Sequence, residues 1–121
     1  MTFAEKVNAF NKSLLVKTKL PAGVNVMNPF ENMETFNLSS AFYNKYYNDN
    51  STRKLILGIN PGRLGAGLTG IPFTDPVKLE EICDIPNNLQ KKIEPSAGFI
   101  YDMINAFGGA EKFYNQYFIN S

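Results

Sequence analysis

The chain has 121 residues, which is one domain's worth at most, and its 44% hydrophobic and 19% charged residues are typical of a soluble globular protein. The net charge of +1 provides no basic footprint for nucleic acid, and a single cysteine without any histidine excludes an internal disulfide and a zinc cluster. No apolar run approaches ~18 residues and no signal-peptide pattern follows Met1, so the sequence predicts a cytoplasmic protein without a membrane-spanning segment.

The first predicted element is a helix over residues 3–19, where apolar side chains recur at helical spacing. Thr2 is placed to cap this helix, and Glu5, three residues later, completes a capping box. Pro21 lies where the helical pattern stops, so it is expected to end the element. Residues 24–27 follow as a candidate short strand.

A second helical pattern covers residues 34–47. Its tyrosines, among them Tyr43 and Tyr47, resemble a run for stacking on bases, but their helical spacing predicts packing between helix and sheet. The first clear strand covers residues 53–59. Its apolar segment, 54–57, is typical of a buried strand.

Three short helices and a second strand are predicted in the last third of the chain. Asp75 is a cap for the first of these helices, and Cys83 is expected to be a small buried hydrophobe beneath a helix. Ser96 is the predicted cap of the next helix, which ends before Gly108. The predicted elements are helices over 76–84, 97–107 and 110–115 and a strand over 117–120.

Residues 58–74 are the most informative segment, because they follow the first strand with five glycines and two prolines in 17 residues. Such a composition cannot continue a strand or form a helix, so we expect a loop at the strand's carboxyl end. Ligand sites of open α/β sheets lie at that end. Asn60 is the first polar side chain past the strand, and Phe73 offers a flat apolar face held by Pro72. This combination suits a small planar polar ligand such as a nucleobase.

The same segment resembles motif 1 of the single-strand-selective monofunctional uracil-DNA glycosylases. The family pattern is G-M-N-P-G-x-x-G-x-x-x-T-G-x-P-F, and residues 58–73 follow it without a gap. Weaker similarity is present in an asparagine-proline segment before the motif, a serine-glycine turn before a helix, and a strand that ends in asparagine. These segments are residues 26–29, 94–98 and 117–120.

The resemblance implies a three-layer α/β/α fold with a mostly parallel central sheet, in agreement with helices that alternate with apolar strands. Only two strands are convincing, and a parallel sheet of two or three strands would be left with open edges. Members of the resembled family have roughly as much chain again. Residues 1–121 are therefore predicted to be the amino-terminal part of a single domain, which is incomplete in this chain.

The function that the resemblance implies is DNA repair. The enzyme would hydrolyse the N-glycosidic bond of uracil, or of a related deaminated or oxidised pyrimidine, after the base is flipped into a pocket. Asn60 would position the attacking water through its carbonyl oxygen, since an amide is far too weak to act as a general base. No lysine lies in or beside the motif to form a Schiff base, so a lyase step is not expected.

Base recognition, on the same resemblance, involves four residues. Phe73 would stack on the uracil ring, and Asn120 would pair with its Watson–Crick edge by donating to O4 and accepting from N3–H. Backbone amides near Ile59 and Gly62 would hold the O2 side of the base. Arg63 is a candidate contact to a DNA phosphate. The alternative, a surface arginine that contacts only solvent, fits the sequence equally well.

Two alternatives stay open at this point. Residues 65–70 fit the dinucleotide fingerprint G-x-G-x-x-G, but the strand ends too early and Pro72 follows where a helix should continue. The second alternative is a non-catalytic nucleic-acid-binding relative, because the histidine of the family's second motif, which stabilises the leaving uracil, has no counterpart here. The expected partner is DNA that contains uracil or a related damaged base. We expect a monomer that needs no cofactor or metal.

Overall fold

A computed structural model describes all residues from Met1 to Ser121. The chain forms six α-helices, one short 3₁₀ helix and two β-strands. In chain order the elements are α1 (Phe3–Ser13), the 3₁₀ helix (Pro29–Glu31), α2 (Met33–Tyr46), β1 (Lys54–Leu57), α3 (Ala66–Thr69), α4 (Pro76–Glu81), α5 (Pro95–Phe107), α6 (Ala110–Gln116) and β2 (Tyr117–Asn120). None of these helices has the length and apolar character needed to cross a membrane.

The predicted capping box of α1 is present. The hydroxyl of Thr2 accepts from the backbone N–H of Glu5 at 3.2 Å, and the Glu5 carboxylate accepts from the N–H of Thr2 at 2.7 Å. These bonds satisfy two of the N–H groups that have no partner inside a helix. The second predicted helix is also confirmed, within one residue of its expected start.

The carboxyl end of α1 was predicted wrongly. The helix ends at Ser13 and not at residue 19, and residues 24–27 form no strand. Side chains from Lys12 to Met27 are exposed, so no packing surface offsets the entropic cost of ordering further helical turns. Instead, the side-chain amide of Asn28 donates to the carbonyl of Leu14 at 3.0 Å and holds the segment in an irregular path.

The first two helices after the loop, α4 and α5, each have an acidic residue at the cap position. The carboxylate of Asp75 accepts from the N–H of Lys78 at 2.8 Å, which confirms the predicted cap of α4. α5 begins at Pro95, so the cap position belongs to Glu94 and not to Ser96. Proline suits this first position because its missing N–H would have no partner inside the helix. The Ser96 hydroxyl donates to the Glu94 carboxylate at 2.6 Å.

β1 and β2 pair in parallel, with Leu57 opposite Asn120. Just past β1, the N–H of Gly58 donates to the carbonyl of Asn120 at 2.7 Å, so the two strands finish side by side. α6 ends at Gln116 and β2 begins at the next residue. The fold is therefore mixed α/β with a parallel sheet, as predicted, and this sheet has two strands.

The core is rich in aromatic side chains and lies where α1, α2 and α6 meet the sheet. The ring of Tyr47 packs against Phe3, Tyr114 and Phe118, with ring centroids 5.5 Å, 5.7 Å and 5.7 Å away. Tyr43 on α2 and Tyr47 directly after it are almost fully buried, so these tyrosines pack in the core as predicted. Cys83 is also fully buried.

Arg53 crosses this aromatic cluster and joins it to the turn before β1. Its guanidinium lies 4.7 Å from the Tyr47 ring centroid, and its Nε donates to the carbonyl of Tyr114 at 2.7 Å. The two terminal nitrogens bind both carboxylate oxygens of Asp49, at 2.8 Å and 2.9 Å. Hydrogen bonds from Arg53 lower the pKa of Asp49 to about 2, below its ordinary 3.8.

The burial of β1 differs from the prediction. Ile56 is half-buried and packs against the core, but Leu55 and Leu57 on the other side of the strand are 62% and 69% exposed. An apolar run without alternation is typical of a strand covered on both faces. This chain covers only one face of β1.

Candidate functional site

Residues 58–74 begin and finish at the carboxyl ends of the two strands. A Cβ placed on Gly58 would lie 2.6 Å from Cζ of Phe73 and 3.3 Å from Cβ of Ser121. Contacts this short show that the Phe73 ring fills the space directly beside the strand ends. The far end of the loop thus returns to the position of Asn120.

Two buried threonines hold the returning part of the loop. The hydroxyl of Thr69 donates to the carbonyl of Thr74 at 2.7 Å and accepts from the N–H of Ile71 at 3.1 Å. The hydroxyl of Thr74 is bonded to that of Tyr101 on α5 at 2.8 Å, and burial raises the pKa of Tyr101. Phe73 lies between these anchors with φ of 55°, a conformation that costs a non-glycine residue about 1–3 kcal/mol. The threonine bonds therefore stabilise a strained residue.

The loop contains a helical turn that the glycine-rich sequence was expected to exclude. α3 covers Ala66–Thr69 and ends at Gly70, whose φ of 72° is the left-handed conformation that often closes a helix. The dinucleotide alternative requires a helix near Gly67 with its amino terminus open to a phosphate. α3 is a single turn, and the carboxylate of Glu94 lies where a side chain on Gly65 would project. A negative charge there opposes phosphate binding, so the geometry does not support that alternative.

Glu94 is an important residue that the sequence interpretation missed. A Cβ on Gly62 or on Gly65 would overlap its carboxylate, so Glu94 supports the loop at both motif glycines. Its N–H donates to the second carboxylate oxygen of Asp75 at 3.0 Å. Oε1 accepts from Ser96, while Oε2 is buried without a hydrogen-bond partner. The available sequence signal was an acidic residue before proline at a helix start.

Three of the predicted site residues are exposed. The side chain of Ile59 is fully exposed, and Arg63 is exposed without an ion pair. Asn60 is exposed as well, and its amide makes only a 3.4 Å contact to the carbonyl of the next residue. The polar atoms of Asn60 are therefore available to bind water or a ligand.

Asn120 is half-buried at the end of β2. Its side-chain oxygen accepts from the N–H of Ser121 at 2.9 Å, which fixes the orientation of the amide. No protein acceptor contacts the Nδ2 group, so this donor is available. A carbonyl oxygen has two lone pairs, and one of them also stays free.

A cavity of about 470 Å³ adjoins Asn120. One wall consists of apolar side chains from α1, α2 and the irregular segment between them, and the opposite wall comes from the motif loop. The lining includes Phe10, Leu14, Met27, Asn28, Phe30 and Tyr43 on the first wall and Pro61, Ala66, Gly67, Gly70 and Pro72 on the second. A largely apolar cavity with a few polar groups is typical of sites for small molecules.

The structure brings part of the predicted site together. The Phe73 ring lies beside Gly58, whose N–H donates to the carbonyl of Asn120, and Asn120 lines the cavity. Asn60 and Phe73 do not line it, although the prolines beside them, Pro61 and Pro72, do. The residue roles implied by the motif therefore stay predictions.

Comparison with known proteins agrees with the motif. The uracil DNA glycosylase superfamily matches residues 44–121. The solved structure of wild-type SMUG2 from Pedobacter heparinus is 59% identical in sequence to this chain, with a TM-score of 0.93. The alignment covers 100% of this chain and 53% of the SMUG2 chain, so this chain spans about half the length of that relative. None of the curated proteins matches.

Proposed function

Because the chain belongs to the uracil-DNA glycosylase superfamily, we propose that it forms part of a DNA glycosylase domain. The reaction is hydrolysis of the N-glycosidic bond of uracil, or of a related deaminated or oxidised pyrimidine, in DNA. The observation that carries this proposal is the motif loop. It starts at the end of β1 and returns Phe73 to the end of β2, where Asn120 lines an apolar cavity.

Asn60 acts on the attacking water. The glycosidic bond breaks through a cation-like sugar, and a water held at the anomeric carbon completes the reaction. The exposed amide of Asn60 can accept a hydrogen bond from that water and orient it. Since an amide does not take up a proton at neutral pH, the contribution of Asn60 is positioning.

Phe73 and Asn120 bind the flipped base. The Phe73 ring offers a stacking face beside the strand ends, which is a sequence-tolerant contact to any base. Asn120 supplies specificity, because its free Nδ2 donates to O4 of uracil and its oxygen accepts from N3–H. Cytosine presents the reverse pattern at these two atoms. Arg63, which is exposed in the motif loop, contacts a DNA phosphate.

Excision also requires donors that stabilise the negative charge on the departing uracil. The family resemblance gives this role to a histidine of a second motif, and the present chain contains no histidine. We therefore assign the catalytic reaction to this chain combined with a polypeptide that supplies that motif. DNA binding without excision is the competing function for the chain by itself.

The test uses a fusion of this chain to the part of P. heparinus SMUG2 that the alignment does not cover. We call this fusion the joined protein. Single-turnover excision of uracil and DNA affinity are measured on the same oligonucleotide. Asn60→Ala is expected to lower excision by orders of magnitude with nearly unchanged affinity, because Asn60 acts mainly in the transition state. Asn88→Ala, at another exposed asparagine, is the matched control and is expected to retain activity.

Two results would contradict the proposal. If the joined protein binds DNA but excises no base, the chain belongs to a non-catalytic nucleic-acid-binding relative. If Asn60→Ala weakens binding and excision equally, Asn60 holds substrate or structure and does not position the water.

A further inference from the structure

The amino-terminal part of the chain carries a local excess of positive charge that the overall composition conceals. The net charge of the whole chain is only +1, but residues 6–30 contain four lysines and no Asp or Glu. Three of these lysines, Lys12, Lys17 and Lys19, lie close together in sequence. We call residues 12–19 the lysine segment. No acidic neighbour in sequence balances its charge.

The structure does not balance this charge either. Every residue of the lysine segment is exposed, and the two ion pairs of the chain lie elsewhere. Lys12 has a local role, because it lies in the last turn of α1, where a cation interacts favourably with the helix dipole. Lys17 and Lys19 lie beyond the end of this helix, so the same effect does not account for them.

The lysine segment forms part of one wall of the cavity that adjoins Asn120. Three of its apolar residues, Leu14, Leu15 and Val16, line this cavity. The opposite wall belongs to the motif loop, in which Arg63 is exposed without an ion pair. Cationic side chains are therefore present in the segments that form both walls.

We propose that Lys17 and Lys19 bind phosphates of the DNA strand that delivers a base to this cavity. Charge complementarity favours DNA, because a strand carries one phosphate for each nucleotide, and a base that enters the cavity brings its flanking phosphates to the walls. Lysine suits this contact as a point charge that holds a phosphate without reading sequence. The proposal rests on the DNA-binding role proposed above, and it adds a contact on the wall that motif 1 does not form.

The test compares the DNA affinity of the joined protein with that of its double variant Lys17→Gln, Lys19→Gln at salt concentrations from about 50 to 200 mM. Loss of two phosphate contacts is expected to weaken binding about five- to tenfold at the lowest salt concentration. The slope of log affinity against log salt is expected to decrease in magnitude by about 1–2. Oligonucleotides with uracil and with thymine at the central position should lose affinity equally, because phosphate contacts carry no sequence information.

Two control variants separate phosphate binding from a general effect of charge. Lys17→Arg, Lys19→Arg keeps both cations and is expected to retain the affinity and the salt slope. Lys54→Gln, Lys112→Gln removes the same charge from two exposed lysines that lie outside the lysine segment. This variant is expected to retain affinity within about twofold, because salt screens exposed charges that make no phosphate contact.

A second measurement uses the unaltered joined protein. Acetylation of lysine amines by acetic anhydride, followed by mass spectrometry, is expected to slow at Lys17 and Lys19 when DNA is bound and to stay the same at Lys54. A salt slope that the glutamine pair leaves unchanged, equal effects of the two glutamine pairs, or lysines that DNA does not protect would each overturn the proposal.

This proposal and the proposed reaction fail separately. Uracil excision by a joined protein whose Lys17 and Lys19 are not protected by DNA would contradict the phosphate contacts alone. Protection of both lysines in a joined protein that excises no base would support the phosphate contacts and contradict the glycosylase function.

Discussion

The carboxylate of Glu94 occupies the space into which a side chain at Gly62 would project. The two residues are far apart in sequence, and the contact joins the start of α5 to the motif loop. Packing against Glu94 therefore explains why glycine is needed at position 62, in addition to any close approach of the backbone to a ligand. The same carboxylate blocks a side chain at Gly65.

Gly62→Ala is expected to lower the free energy of unfolding by about 1–3 kcal/mol, because the new methyl group displaces the Glu94 carboxylate from its site. Chemical denaturation measures the change. In a chain that already carries Glu94→Ala, the same substitution is expected to lower the free energy of unfolding clearly less, because the obstructing carboxylate is gone. The two effects of Gly62→Ala are expected to differ by at least about 0.5 kcal/mol.

The matched control for this cycle is Gly98→Ala. Gly98 lies inside α5, and a Cβ there meets nothing within 4 Å. Alanine is a better helix former than glycine, so this variant is expected to gain about 0.5–1 kcal/mol. If the effects of the substitutions at positions 62 and 94 are additive, the contact with Glu94 is not the reason why Gly62→Ala is destabilising.

Thr69→Val keeps the shape of the side chain and removes its hydroxyl. The carbonyl of Thr74 and the N–H of Ile71 would lose their bonds to a residue that is fully buried. An unsatisfied buried group costs about 1–3 kcal/mol, so the free energy of unfolding should fall by that amount. Thr52→Val at an exposed position is the control, with an expected change within about 0.5 kcal/mol. Equal effects at the two sites would contradict the role of Thr69.

The lowered pKa of Asp49 predicts how the stability of the fold depends on pH. Its folded pKa of about 2 lies below the ordinary 3.8, so the Arg53 pair stabilises the fold above about pH 4, and this contribution declines as the pH falls toward 2. Asp49→Asn should therefore be less stable than the unaltered chain at pH 6, with a smaller difference at pH 3. Urea unfolding of both proteins at the two pH values measures this. A difference that stays constant would contradict the assignment.

Asn120→Asp in the joined protein tests base recognition. One carboxylate oxygen can keep the bond to the Ser121 N–H, but the group that replaces Nδ2 repels O4 of uracil. We expect single-turnover uracil excision to fall by roughly 1–3 kcal/mol of transition-state stabilisation, with a small gain on cytosine, whose amino group can donate to the carboxylate. Matched uracil and cytosine oligonucleotides measure both effects.

Asn115→Asp, an exposed position on α6, is the control for this substitution and is expected to leave excision unchanged. Uracil excision that is unaffected by Asn120→Asp would show that another residue reads the base.

Features that depend on neighbouring residues could be predicted from the sequence. Thr2 and Asp75 were identified as helix caps because the N–H groups they accept from lie three residues away. Motif 1 was recognisable for the same reason, since its glycines, prolines and polar residues are contiguous. The loop position at the end of β1 followed from the apolar run before it.

Features that depend on distant surfaces could not be predicted in this way. A helical pattern continues past Ser13, but no surface of the fold lies where its apolar side would pack. The apolar run of β1 indicated burial on both faces, whereas Leu55 is 62% exposed because no other part of this chain packs on its face of the strand. Glu94 was missed because its contact with Gly62 leaves no regular spacing in the sequence.

Because β2 follows α6 directly, the number of residues in β2 is as important for the position of Asn120 as the identity of those residues. No loop separates Gln116 from Tyr117, so an inserted or deleted residue in β2 cannot be absorbed between the two elements. A shift of one position would turn every following side chain to the opposite face of the sheet. Deletion of one residue from β2 would place Ser121 opposite Leu57, and the cavity would lose the amide of Asn120 while keeping every motif residue.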